Sequence, residues 1–545
     1  MKSKIPFVGL HAHSVAGSPF DALGYPQDHM DFAYENGCEA LALTDHGNMN
    51  GMAYQVLHAK KMKEQGKNFK PIFGVEAYFI PSLEKWNEER DRVKQDKKRA
   101  SEVKDSTTMS IENEGETKRS KSILNQRSHL ILLAQNQTGL NNIFAMISKS
   151  NSDEYFFRYP RVDYEVLKEH NEGVIAASAC MGGVYAANFW KFWDNENDCI
   201  TDQQGCEDAF RETTRNMVDI FGDRWYGELQ WHTDKKQHMI NQLVIQMHKE
   251  FGIKLISTAD SHYPNPDAWK DRELYKRLGF LGKGKPAWMS DELPESVAEV
   301  GYELYPKNGD QMWESYKHYT ELNGVEYDDD LVMDSITETH NIAFNRIEDF
   351  MPDNEVRLPS FVVPDGYTAD AALETISLEG LKKLGQLDNS VYRERLEEEL
   401  SVISDRGFSK YFLTMKAISD TAMDNQLTGP GRGSAAGSLV AYVLGITQVD
   451  PIKYGLQFAR FLRKDATDYP DIDYDVSNPM ELKEIMQEKW GDTTVVPISN
   501  FNTLQLKSLV KDISKLYDIP FAEANAVTSR MISEATPKAK AKHGI

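Results

Sequence analysis

Short apolar runs alternate with amphipathic stretches through the first 275 or so residues, and this rhythm constrains the fold more than any other feature of the sequence. IPFVGLHAH predicts a strand, the stretch around Pro26 to Asn36 a helix, EALALTD a strand, MAYQVLHAKKMKEQG a helix and KPIFGVEAYFI a strand. After a break the pattern resumes. HLILLAQN, EGVIAASAC and RWYGELQW predict strands, Lys236 to Phe251 a long helix, and IKLISTADSHY a strand running into a loop. Successive β-then-α units imply an α/β domain with a parallel sheet and helices outside it, closed as a barrel or left open.

The break, from about Ser82 to Arg127, is dense in Lys, Arg, Glu, Asp and Ser and has few residues able to form a core. It reads as a solvated insertion, partly a charged helix or hairpin. Its cations are mixed with Glu and Asp, so a plain surface insertion outweighs a DNA contact. Beyond residue 275 a Pro- and Trp-bearing helical connector runs to about Pro359. NSVYRERLEEELSVISDRG then carries apolar residues near i, i+3, i+4 and i+7, the pattern of an amphipathic helix. KYFLTMKAISDTAMDNQ predicts another helix, followed by the loop TGPGRGSAAGSLVAYVLGIT. The chain thus divides into 1–275, with the insertion at about 82–127, then 276–500 and 501–545. No internal repeat is visible.

Composition narrows the function classes. No run of about 18 apolar residues is present, so no membrane helix is expected. The opening MKSKIPFVGLHAHS is too short in its apolar part to predict a signal peptide. Four cysteines (Cys38, Cys180, Cys199 and Cys206) in 545 residues do not make a disulfide framework, and a reducing cytoplasm is the expected location. A formal charge of −22 argues against a protein that coats nucleic acid non-specifically. It leaves room for an enzyme with a local basic groove, because net charge describes the whole surface.

Metal-capable residues of the first region fall at predicted strand ends. His11 and His13 end the first strand, Asp45 and His46 the second, and Glu76 the third. His129 opens SHLILL, Cys180 ends ASAC, and Asp260 with His262 repeat the i, i+2 spacing in ADSHY. Alternate residues of a strand point to the same side, so each i, i+2 pair can chelate one ion. In a parallel barrel all C-terminal strand ends open onto one face. Imidazole with carboxylate suits zinc, manganese or iron. A lone histidine is usually a core or surface residue; it is the ordered set that argues for a metal centre.

A second constellation lies later. In GPGRGSAAGS, Gly429 to Ser438, glycines would let backbone N–H groups approach a phosphate, and the helix that follows adds its dipole. The loop lacks the G-x-x-x-x-G-K-[ST] pattern of the ordinary ATPases. In FARFLRKDATDYPDIDYD, Asp471 and Asp473 have i, i+2 spacing on a strand-like segment, so both carboxylates face one side. Paired carboxylates of this kind suit two Mg²⁺ ions bridging a nucleotide's phosphates.

The first set, in this order, resembles the polymerase and histidinol phosphatase (PHP) domain, in the version that opens bacterial DNA polymerase III alpha subunits. From Tyr392 to Tyr474 the sequence resembles the palm of the same family, so one family covers both constellations. The resemblance implies a distorted barrel holding up to three ions (Zn²⁺, Mn²⁺ or Fe) on His11, His13, Asp21, His46, Glu76, His129, Cys180, Asp260 and His262. Asp21 follows a loop, SVAGSPFD, one residue longer than the family pattern, and Asp45 is expected to orient a ligand. For the later region the resemblance implies an incomplete palm of the polymerase-beta-like nucleotidyltransferase kind, and for 501–545 the start of a helical thumb. Asp471 and Asp473 would bind two Mg²⁺ ions, while Arg432, Gly433, Ser434 and Arg460 would hold the incoming triphosphate. Asp475 would be a neighbour.

The resulting expectation is a replicative DNA-directed DNA polymerase acting on primer-template DNA and dNTPs. The family's third catalytic aspartate and fingers are expected from a second polypeptide, which would also reach a sliding clamp. A polymerase divided between two genes, half of an intein-interrupted polymerase and a shortened polypeptide all fit, of bacterial or phage origin. Two alternatives stand beside this expectation: a metal-dependent phosphoesterase or 3′–5′ exonuclease acting through the first domain, and a metal cluster that only stabilises the fold.

Overall fold

The structure is a computed structural model describing residues 3–104, 123–281, 289–290, 292–353, 363, 366–465, 469–498 and 505–543. Two compact units emerge: residues 1–353 together with 504–545, and residues 354–503.

The first unit is built on a six-stranded sheet in the order β1 (Ala40–Leu43), β2 (Lys70–Phe79), β3 (Ser128–Ala134), β6 (Val174–Ala177), β9 (Trp225–Leu229) and β10 (Lys254–Ser257). Two small hairpins, β4 (Phe156–Phe157) with β5 (Tyr159–Pro160) and β7 (Trp193–Asp194) with β8 (Cys199–Ile200), lie outside it. The expected first strand is reduced to isolated bridges, Gly9 with Leu41 and Ala12 with Ser261. Those bridges join both edges of the curled sheet to one segment, backed by hydrogen bonds from Thr44 N to the Ala12 carbonyl (2.7 Å) and from His13 N to the Ser261 carbonyl (2.7 Å).

Both faces of the sheet are buried, which explains its nearly unbroken apolar strands. Leu130 and Leu132 pack outward with Phe73, Val75 and Trp225, whereas Ile131 and Leu133 pack inward with Ile72, Tyr226 and Ile256. The sheet is not all-parallel as expected, since β3 runs antiparallel to both β2 and β6. Phe79 pairs with Ser128, so the chain leaves and re-enters the sheet at one end, with the charged insertion hung between. An antiparallel pair needs no crossover to the other end of the sheet, so the connection starts and finishes at the same end.

The insertion is also less solvated than expected at its base. It begins with the helix Leu83–Lys104, whose Leu83 and Trp86 are buried, while residues 105–122 lie outside the described residues. A second correction concerns the connector, placed with the later region on sequence. Its helices Gly309–Asn323 and Asp329–Asn341 bury Met312, Val332 and Ile336 in the first unit's core, and Ile342, Ala343 and Ile347 join the inner cluster. Apolar burial thus ties residues up to 353 to the first unit. Residues 505–543, read as the start of a thumb, form the helices Leu506–Leu516 and Phe521–His543 and group with that unit too.

The second unit is helical: Ala369–Lys383, Ser390–Asp405, Ser409–Asn425, Leu439–Val443 and Pro479–Trp490 surround Leu381, Leu396, Ile403, Phe412 and Leu439. Among its described residues no strand forms, although a palm would carry a sheet. The segment holding Asp471 and Asp473 has backbone partners on one side only, a bridge between Thr428 and Val476 with hydrogen bonds from Gly429 N to the Asp475 carbonyl and from Ser477 N to the Leu427 carbonyl. One short contact does not propagate a ladder. No helix among the described residues is long and apolar enough to cross a membrane, and the four cysteines are unpaired.

Candidate metal centre and carboxylate pair

The rim of the curled sheet gathers all nine residues singled out in the first region. Each strand delivers its donor by simple alternation. Glu76 shares the inner face of β2 with Ile72, and His129 shares that of β3 with Ile131 and Leu133. Because β3 is antiparallel, its first residues reach the same rim as the C-terminal half of β2, which is why His129 opens its strand while Glu76 sits late in its own.

Glu76 is the hub. Its Oε1 lies 3.3 Å from His11 Nε2 and 3.0 Å from His129 Nδ1, and its Oε2 lies 2.5 Å from His46 Nδ1 and 3.7 Å from His13 Nε2. Asp260 Oδ1 stands 3.1 Å from His11 Nε2, 3.2 Å from His13 Nε2 and 3.3 Å from His262 Nδ1. Cys180 Sγ is 3.6 Å from His129 Nδ1 and 4.0 Å from Glu76 Oε1. Asp21 Oδ2 approaches His46 Nε2 at 3.1 Å and His262 Nε2 at 3.5 Å; the longer loop before it ends in a left-handed residue, Phe20, with φ 64°. Three overlapping triads result, each with ligand atoms within 4.8 Å of one another: His13, His46 and His262; His11, His13 and Glu76; His46, Glu76 and His129.

This chemistry fits a cation. Glu76 Oε2, Asp260 Oδ1 and His46 Nδ1 are buried without a hydrogen-bond partner, although complementary atoms stand close by. Buried polar atoms are ordinarily satisfied, so atoms converging without hydrogen-bond geometry suit a shared positive ion. Electrostatics agrees for the carboxylates and His13, whereas against the effect of burial neighbouring carboxylates hold His11 and His46 well up. Burial alone would raise Glu76, Asp260 and Asp21, yet the surrounding imidazoles hold all three well below the usual carboxylate range. Burial, with His46 and His262, pushes His13 down toward its neutral, ligating form. Burial, Asp260 and Glu76 push the Cys180 thiol well up.

Asp45 faces away from the donors. It accepts from Ser14 N (2.6 Å), Ser14 Oγ (2.9 Å) and Ser18 Oγ (2.9 Å), and Ser18 Oγ in turn accepts from His46 N (3.1 Å). Burial raises its pKa to about 6 against those hydrogen bonds. It braces the loop that carries two of the histidines.

In the second unit, Asp471, Asp473 and Asp475 are exposed while Ile472 and Tyr474 pack on the core, the alternation expected of an extended segment. Gly433 adopts φ 64°, and a Cβ there would meet Asp473 Oδ2 at 2.4 Å. Only glycine lets the loop backbone approach the carboxylate so closely. Arg432 pairs with Asp475 (3.2 Å), Ser434 opens a 3₁₀ turn, and Arg460 closes another, Phe458–Arg460; all three are exposed.

Residues 9–232 match the PHP domain family, and residues 371–543 match the bacterial DNA polymerase III alpha NTPase domain family. The DNA polymerase III subunit alpha of Aquifex aeolicus is 32% identical over 537 residues, covering 95% of this chain and 40% of that protein. Its counterpart from Borreliella burgdorferi is 31% identical over 541 residues, covering 97% and 40%. This chain belongs to the DNA polymerase III alpha family. It corresponds to the N-terminal portion and spans about 40% of the length of the curated relatives it matches. Among solved structures, an amidohydrolase from Chromobacterium violaceum aligns with 49% of this chain and 96% of its own at 13% identity, with a TM-score of 0.25, too low to argue from.

Within this family member, three residues that sequence reasoning passed over support the sites. Glu228 Oε1 lies 2.7 Å from His11 Nδ1 and accepts from Gln230 Nε2 (2.9 Å), fixing the ring so that Nε2 faces the cluster. Arg272 donates to Asp21 Oδ1 and to the Asp21 carbonyl, both at 2.7 Å. Glu399, fully buried, accepts from Leu439 N (2.9 Å), Val440 N (3.0 Å), Ser438 Oγ (2.9 Å) and Arg395 Nε (2.6 Å), capping the helix behind the glycine loop. Glu228, in GEL, follows the inward alternation of β9, a signal available in the sequence. Arg272 and Glu399 sit mid-helix with none.

Proposed function

We propose that this chain carries the N-terminal share of a DNA-directed DNA polymerase, with the triphosphate-binding loop and two of three catalytic aspartates. The observation that carries this reading is the Gly433 backbone set against the Asp473 carboxylate, which would bring a phosphate-binding loop and the acidic pair to one spot. Backbone N–H groups of the loop and the Ser434 hydroxyl would donate to the triphosphate, and Arg432 would exchange Asp475 for a phosphate oxygen. Divalent cations held by Asp471 and Asp473 would supply charge neutralisation as the primer hydroxyl displaces pyrophosphate. A third carboxylate and the fingers, which the family resemblance implies, would be supplied by a second polypeptide.

Primer extension with Mg²⁺ and all four nucleotides tests this. The chain alone should give no product, and adding a polypeptide that carries the remaining palm and fingers should restore synthesis. Asp471→Ala or Asp473→Ala should then remove most of the rate, and Ser434→Ala less. Processive synthesis by the chain alone would overturn the division of the site.

The unpartnered buried atoms of the first unit favour a second activity, metal-dependent phosphodiester hydrolysis, including 3′–5′ exonuclease action. His11, His13, Asp21, His46, Glu76, His129, Cys180, Asp260 and His262 would hold the ions, and bound ions would supply an activated water. Manganese or zinc should serve better than magnesium, given the imidazole and thiol donors. His13→Ala or Asp260→Ala should abolish hydrolysis; equal traces in wild type and variant would reduce the cluster to a structural role.

A further inference from the structure

A strip of rings and cations leads away from the rim of the metal centre. The Tyr78 ring lies 6.1 Å from His46 and 5.5 Å from His129, centroid to centroid, and Tyr159 follows 5.3 Å beyond it. The Arg127 guanidinium covers Tyr159 at 4.0 Å and Tyr78 at 5.5 Å. Tyr159 belongs to the β4–β5 hairpin, where Phe156 is exposed and the turn is a single residue, Arg158, with φ 63°. A non-glycine residue is uncommon there, and such strain persists only where the surroundings enforce it.

Arg161 does the enforcing. Only 1% exposed, it donates to the carbonyls of Phe157 (2.9 Å) and Tyr159 (2.8 Å), and to those of Leu124 (2.8 Å) and Gln126 (3.1 Å). One buried guanidinium therefore holds both the hairpin and the residue preceding Arg127. The hairpin is also seated against the loop of the metal centre: a Cβ on Gly47 would meet Pro160 at 3.0 Å and Tyr78 at 3.2 Å. Arg127 and Arg158 are exposed, and the ring contacts of Arg127 with Tyr159 and Tyr78 and of Arg158 with Phe157 leave both guanidinium groups at the surface.

We propose that this strip binds the end of a single-stranded nucleic acid, with Tyr159 stacking a base and Arg127 and Arg158 meeting phosphates. The fate of the phosphodiester delivered to the rim rests on the hydrolytic reading above; the binding does not. Aromatic faces interleaved with cations are what sequence-tolerant single-strand binding needs. An acidic peptide would use the cations and leave the rings idle, and a duplex keeps its base faces stacked.

The test uses the full chain and a short oligothymidylate ending in photoreactive 4-thiothymidine at its 3′ end, with cross-links mapped by mass spectrometry. Cross-links should fall on Tyr159. Tyr159→Ala with Arg127→Gln should weaken their formation about tenfold, whereas Tyr159→Phe with Arg127→Lys should retain it. Arg158→Gln, at an exposed tip, provides a variant that leaves the core intact and should also weaken capture. Capture by the unaltered chain without any hydrolysis would sink only the hydrolytic reading. Cross-links mapping only elsewhere, indifference to all these variants, or equal competition by an acidic peptide would overturn the proposal.

Discussion

Glu76 in the first unit has no exposed surface and stands within 3.7 Å of four imidazoles, whereas Asp473 in the second unit is exposed and rests against a bare glycine. Both are acidic centres on an extended segment, yet they solve the problem of packed charge differently. Around Glu76 the protein surrounds its carboxylates with imidazoles and excludes water, so the site is largely built before any ion arrives. Around Asp473 it leaves the carboxylates in solvent, where repulsion is screened, and keeps only the backbone geometry ready. The first arrangement suits a resident ion. The second suits ions that come and go with a substrate.

Chelation should separate the two most sharply. Elemental analysis should find two or more transition-metal ions per chain, and their removal should lower the melting temperature of the first unit by about 10 °C. Asp471→Ala and Asp473→Ala should leave that transition and the metal content unchanged. A protein that stays metal-free after supplementation, with an unaltered melting curve, would break the comparison at its root.

Glu399→Ala should act the opposite way. It leaves the Leu439 and Val440 N–H groups without their buried acceptor and Ser438 Oγ without its partner, at a cost of about 3 kcal/mol, visible as a lower denaturant midpoint for the second unit with the metal content intact. An unchanged midpoint would mean that the glycine loop does not depend on its cap.

Acid should distinguish the units through His29, which is buried in the first unit with Nε2 donating to the Leu23 carbonyl at 2.9 Å. Burial, with a smaller contribution from His262, draws its pKa down from 6.5 to about 4. Protonation therefore favours the unfolded chain. The stability is fully present above pH 6.5 and is lost as pH falls toward 4, by at most ~3 kcal/mol. His29→Gln should flatten this slope in urea titrations of metal-free protein, and a slope equal to wild type would assign the acid sensitivity elsewhere.

Gly433→Ala should have the smallest effect on folding, about 1 kcal/mol for a left-handed position. Its consequence should be local: the added methyl meets the Asp473 carboxylate and should weaken nucleotide binding in the presence of Mg²⁺, measured by titration calorimetry. Unchanged affinity would detach the loop from the acidic pair.

Much of the first unit could be read from residue order because strand periodicity is local. Apolar runs marked the six strands of the sheet, and i, i+2 spacing at their ends marked His11, His13, Asp260 and His262 without any knowledge of what lay opposite. The connector was harder. Nothing in the sequence of Gly309–Asn341 says which core will bury Val332 and Ile336, since an amphipathic helix declares a wet face and a dry face but not its neighbour.

Sequence alone therefore determined the α/β rhythm of the first unit, the helices around Tyr392 to Asn425, and the i, i+2 pairs of donors, because each depends on spacing along a single segment. Tertiary structure decided the rest. It reversed β3, so that His129 and Glu76 share a rim, and it brought Glu228 to His11 and Arg272 to Asp21 across 217 and 251 residues. It set Gly433 against Asp473 and seated the hairpin of Tyr159 beside Gly47. These pairings join segments whose sequences carry no mark of each other, and only the common burial of distant apolar faces selects them.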